Sequence, residues 1–184
     1  MKPRELGIGA AGPGGVGACA TARTLLLAAA VVYVAMICAL FLFAPEGAPP
    51  ALDLALTGYG PDDVAAYFAR LDRPAVLHAV GPFRWLDYLF PPLLALGLAA
   101  LFRCLGGRGG AALAGAVLAV IYGLADLSEN VLIDSMIRGW PNLPDNATVI
   151  RAALATRIKF AALGFALLAL GLVWWKRRRE GEPS

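Results

Sequence analysis

Residues 24–44 (TLLLAAAVVYVAMICALFLFA) form a run of 21 without a single charge. A helix rises 1.5 Å per residue and the hydrocarbon core of a bilayer is about 30 Å thick, so about 20 apolar residues make one crossing. Three further segments repeat the pattern. Residues 85–105 carry Asp87 near their start and Arg103 near their end. Residues 111–133 are apolar as far as Ala125 and then turn polar. Residues 151–175 close with Trp174 and Trp175, followed by the basic run 176–179. Composition agrees: 59% of residues are hydrophobic and 16% charged, against roughly 45–50% and about 25% in soluble domains. Backbone polar groups in lipid must be satisfied within their own segment. The chain is therefore expected to be all-α, a four-transmembrane-helix antiparallel bundle over 23–179, with cytoplasmic tails at 1–22 (Gly- and Ala-rich, flexible) and 180–184.

The first apolar run is longer than the 7–15 residues of a signal-peptide core, so it reads as a retained span. Lys and Arg bias sets orientation. Lys2, Arg4, Arg23, Arg103, Arg108 and Lys176 to Arg179 put nine cations on the side shared by the termini. The 45–83 loop holds Arg70 and Arg73 against Glu46, Asp53, Asp62, Asp63 and Asp72. Both termini are thus expected in the cytoplasm, in a bacterial inner membrane given the Ala-, Gly- and Arg-heavy composition. The net charge of +3 reads as topology rather than nucleic-acid binding. The expected partners are the lipid bilayer and a second copy of the chain or another membrane protein.

Within the 45–83 loop, Gly60-Pro61-Asp62-Asp63 is a helix start, with Pro in the first turn and acids at the positive dipole end. Val64, Tyr67, Phe68 and Leu71 follow at i, i+3, i+4 and i+7, one apolar face. The spacing predicts a short amphipathic helix on the membrane surface or across the bundle end. Cys19 and Cys104 fall on the reducing side and Cys38 inside the first span, so no disulfide is expected. Gly115, Gly123, Gly164 and Gly171 are spaced like small residues that let helices approach closely.

Ionisable groups within spans are costly and normally face the bundle interior. Here they are Asp87, Asp126, Glu129, Arg157 and Lys159. Counted from the inner ends, Asp87, Asp126 and Lys159 each lie roughly 22–24 Å up, so three helices bring charge of both signs to one level. Tyr122, Asp126, Glu129 and Asn130 share a stripe at helical spacing, as do Arg84, Asp87 and Pro91, and as do Thr156 and Lys159. Pro91 and Pro92 leave the carbonyls of Asp87 and Tyr88 without helical donors, and a nearby Lys or Arg is a candidate partner. Two readings stand. In one, Asp87, Asp126 and Glu129 pair with Lys159 and Arg157 to lock helices in register. In the other, three acids against one or two bases leave an acid in excess. That suits a small proton-coupled transporter or a membrane enzyme acting on a lipid or apolar molecule. A metal site recruiting His78 lacks any supporting His or Cys spacing, and no cofactor-binding motif is present.

Several pieces together resemble a set of small bacterial four-span membrane proteins. They are Gly58-Tyr59 with the helix over 62–71, Asp87-Tyr88-Leu89-Phe90-Pro91, Asp126-Leu127-Ser128-Glu129-Asn130, and Thr156-Arg157-Ile158-Lys159. The likeness covers roughly residues 24–175 and implies the architecture but no mechanism. It departs at 74–78, where that set has a Gly-Arg-aromatic stretch.

Overall fold

The computed structural model describes residues 13–45, 47, 49, 51–82, 84–106 and 109–181. Expectations for residues 1–12 and 182–184, and for Glu46 and Arg108, lie outside the described residues. Six α-helices follow one another: α1 (Pro13–Phe43), α2 (Pro61–Arg70), α3 (Arg73–Ala79), α4 (Arg84–Gly106), α5 (Gly110–Arg138) and α6 (Asn146–Gly181), with a 3-10 turn at Leu52–Leu54 before α2. Four of these elements are long and apolar enough to cross a membrane, and the chain is a multi-pass membrane protein built as a helical bundle.

Packing runs in sequence order: α1 lies on α4, α4 on α5, and α5 on α6. Small side chains set the close approaches. Ala22 and Ala29 of α1 are buried, and a Cβ on Gly97 of α4 would fall 2.9 Å from the Leu26 side chain. Phe102, fully buried, sits over Gly115, and Gly123 faces Ala95 and the Pro91 carbonyl. Gly164 and Gly171 meet nothing within 4 Å, so only two of the four glycines expected at helix contacts are there.

Among the described residues, 13–22 are helical, where a flexible tail was expected. Three glycines make this stretch a poor helix on propensity alone, and the Cys19–Cys104 bond holds it to α4. Cys19 is disulfide-bonded to Cys104, with a Cα–Cα separation of 4.9 Å, which corrects the expectation of unpaired cysteines. Packing of α1 against α4 brings together residues 85 positions apart, a proximity that sequence spacing does not encode. Arg177 of α6 donates to the Cys104 carbonyl at 3.5 Å. The start of α1 and the ends of α4 and α6 thus share one end of the bundle.

The other end is closed by the 45–83 loop. The helix read from Gly60-Pro61-Asp62-Asp63 is α2, where the Gly60 amide donates to Asp63 Oδ2 at 2.8 Å. Its face of Val64 and Phe68, with Leu71, is buried in a cluster with Leu52, Tyr59 and Ala75 and with Ile133, Met136, Ile137, Val149, Ala152 and Ala153 from the ends of α5 and α6. The helix therefore caps the bundle rather than floating beside it. α3 was not expected from the pattern. It is fixed by Asp72, whose Oδ1 accepts from the Ala75 amide at 2.8 Å, and by Pro74 in its first turn. Trp140 Nε1 donates to the Phe68 carbonyl at 3.3 Å, tying the α5–α6 connection to the cap.

Candidate functional site

Beneath the cap, α5 and α6 face each other through charged groups. Lys159 of α6 bridges two acids of α5: its Nζ is 3.3 Å from Asp126 Oδ1 and pairs closely with Glu129 Oε2. Asp126 Oδ2 also accepts from the Tyr122 hydroxyl at 2.8 Å. Thr156 donates to Glu129 Oε1 and lies 3.1 Å from the Ala152 carbonyl. Glu129 and Thr156 are fully buried, and Asp126, Asn130 and Lys159 are buried as well. Helical spacing explains the arrangement. Tyr122, Asp126 and Glu129 fall on one stripe of α5, and Thr156 and Lys159 on one stripe of α6, so antiparallel packing stacks 126 against 159 and 129 against 156.

Asp87 does not reach Lys159. It sits about one helical turn nearer the cap, opposite Asn130, and its carboxylate accepts from Arg84 Nη1 at 2.9 Å. The three charges expected at one level are therefore two at one level and a third displaced. A second ionic group results. Arg84 Nη2 donates to the Asn130 carbonyl at 2.6 Å, Arg84 Nε lies 3.9 Å from Asp134 Oδ1, and Arg138 Nε donates to Asp134 Oδ2 at 2.7 Å. Tyr88 stacks beneath the Arg84 guanidinium at 5.5 Å.

Asn130 joins the two groups. Pro91 has no N–H to give the Asp87 carbonyl, and Asn130 Nδ2 donates to that carbonyl at 2.8 Å. The orphan acceptor expected from the proline is thus satisfied by an amide from α5, not by a Lys or Arg.

Arg157, placed with the cluster on sequence grounds, points instead to the loop. Its Nε donates to the Thr57 carbonyl at 3.2 Å and packs against Gly58, whose φ is +81°. Consecutive helical residues face about 100° apart, so Lys159 and Arg157 cannot share one stripe. His78 lies half-buried in α3, outside the cluster. Among the described residues, no group of three or more His, Cys, Asp or Glu has the arrangement of a metal site.

Two loop residues that approach the cluster are not among the candidates the sequence singles out. Tyr59 is buried with its hydroxyl lacking a hydrogen bond of good geometry, beside Thr156 and within electrostatic reach of Glu129. Burial pushes its phenol well above the usual range; Thr156 opposes that, and the Glu129 and Asp53 carboxylates add to it. Asp53, in the 3-10 turn, carries a buried unpaired Oδ1 and acts electrostatically on Tyr59, Glu129 and Lys159. Loop acids carry no membrane penalty that would mark them in a sequence. Compared with family models, curated proteins and solved structures, the chain finds no match.

Proposed function

We propose that this chain is a structural or accessory protein of the bacterial cytoplasmic membrane whose ionic cluster is architectural. The cluster locks α5 to α6 and seats the loop cap that the chain offers to a partner membrane protein or a second copy. The carrying observation is that the Lys159 ammonium is spent on both Glu129 and Asp126, while Thr156 and Tyr122 fill further acceptor sites on the same carboxylates. Ionic groups bound in this way hold elements in place. The resemblance to small bacterial four-span proteins supports the same architecture.

The test is a mutant cycle on melting in detergent. Lys159→Met leaves two carboxyls facing each other without their cation, and breaking a buried pair costs about 3–5 kcal/mol. Adding Glu129→Gln to Lys159→Met removes one stranded charge and recovers part of that loss. A single Lys159→Met variant that melts like the wild type would sink the architectural reading.

We propose cytoplasmic termini from the cation bias, which Arg23, Arg103 and Lys176 to Arg179 carry at that end. The Cys19–Cys104 bond pulls the other way, because disulfides persist in oxidising compartments. Helix packing keeps the two cysteines adjacent in the dithiol form as well, so the charge bias decides the proposal.

A further inference from the structure

We propose that a pocket at the cap end, between the start of α4 and the end of α5, binds the headgroup of an aminophospholipid, with its phosphate on Arg84 and Arg138 and its ammonium on Asp134. The pocket has a volume of about 220 Å³ and is lined by Arg84, Trp85, Tyr88, Asp134 and Arg138, together with the turn after α3. Two of its polar atoms are buried and lack hydrogen bonds: Arg84 Nε, a donor, and Asp134 Oδ1, an acceptor. They face each other at 3.9 Å, too far for a direct hydrogen bond. The Arg84 side chain is only 10% exposed, and its other two nitrogens are already committed to Asp87 and the Asn130 carbonyl. The guanidinium is thus held rigidly, with its Nε turned toward the Asp134 carboxylate.

An occupant of the pocket meets the guanidinium groups of Arg84 and Arg138 and the carboxylate of Asp134. A simple anion suits the arginines but is repelled by Asp134, and a simple cation meets the reverse. A zwitterion answers both, and a phosphate with a short amine arm carries the two signs. A volume of about 220 Å³ suits a headgroup rather than a larger metabolite. Location selects the lipid source. The pocket lies at the end of the apolar part of α4, and Trp85 on its rim is 75% exposed, as aromatic residues at a membrane interface are. Acyl chains can then run along α4 while the headgroup sits between the helices. This reading is independent of the architectural role of Lys159, which lies on the α5–α6 face.

The test uses the full chain, purified and delipidated in detergent. It is titrated with short-chain phosphatidylethanolamine, with phosphatidylcholine of the same chains and with soluble phosphoethanolamine, and bound lipid is counted by native mass spectrometry. Phosphatidylethanolamine is expected to bind about tenfold or more tightly than phosphatidylcholine, whose quaternary ammonium has no N–H for Asp134. Asp134→Asn should erase that preference, and Arg138→Gln should weaken both lipids together. Equal affinity for the two lipids would overturn the proposal, as would a preference that survives Asp134→Asn. Phosphoethanolamine binding as tightly as the lipid would overturn the assignment of a membrane source. Arg138 is 58% exposed, so its variant should fold even if Asp134→Asn does not, and unchanged affinity in that variant also refutes the site.

Discussion

Substituting Asn130 by Ala tests how a proline-broken helix is repaired inside the bundle. Pro91 is fully buried and deprives the Asp87 carbonyl of its helical donor, and Asn130 Nδ2 fills that vacancy at 2.8 Å. A buried carbonyl left without a donor costs about 1–3 kcal/mol. Membrane hydrogen bonds measured by mutant cycles lie lower, averaging about 0.6 and reaching about 1.7 kcal/mol. Asn130→Ala should therefore cost about 1–2 kcal/mol, a drop of roughly 2–8 °C in Tm for a chain of this size. The decisive comparison is the same change in a Pro91→Ala background. There the alanine amide supplies the Asp87 carbonyl, so removing Asn130 should cost about 1 kcal/mol less. The bond from Arg84 Nη2 to the Asn130 backbone carbonyl is untouched by either substitution. The four variants are melted in one detergent, followed by circular dichroism at 222 nm. If Asn130→Ala costs the same with Pro or Ala at position 91, within about 0.5 kcal/mol, the repair does not operate and the argument fails.

Gly58→Ala should lower Tm by several degrees. The left-handed backbone costs an alanine about 1–2 kcal/mol, and its Cβ would fall 2.6 Å from Arg157 Nε; combining it with Arg157→Ala should relieve only the clash. Burial raises the Tyr59 phenol above its ordinary value of 10.0. The Tyr59 contribution to stability should therefore be flat below pH 10 and fall above it, as the unfolded chain releases the proton first. Tyr59→Phe should shallow that alkaline loss, and an unchanged pH profile would show that Tyr59 does not contribute. In the disulfide-bonded form, Cys19 and Cys104 should resist maleimide. After reduction, an impermeant maleimide should reach them only from the cytoplasmic face, and labelling of sealed cells from outside would reverse the orientation.

The four long helices were legible because an uncharged run of about 20 residues has few alternatives. The pairing of α5 with α6 was legible because Asp126, Glu129 and Lys159 are too costly in lipid to stand alone. α2 announced itself through Pro61, Asp62 and Asp63. α3 carries an equally local signal, Asp72 as cap and Pro74 in the first turn, but seven residues are too few to show an apolar periodicity. The rest depends on distance in sequence. Cys19 meets Cys104, Arg157 meets Thr57, and Asp53 and Tyr59 approach Glu129 only once the loop has folded over the bundle. Depth counting assumed helices ending at one height. Because Phe102 sits over Gly115, Arg103 lies about a turn above Ala111 instead of level with it, and Asp87 comes out a turn away from Asp126.

That unevenness gives α4 a distinct physical standing. Its 23 residues span about 35 Å, barely more than the hydrocarbon thickness, whereas α5 and α6, with 29 and 36 residues, run well beyond it. The longer helices can absorb a change in bilayer thickness by tilting or by sliding through the headgroups. α4 cannot, since Arg84 and Asp87 at one end are bonded to α5 and Cys104 at the other is bonded to α1. It is the ruler of the bundle: a thicker membrane draws its charged end toward hydrocarbon, and a thinner one lifts it toward water.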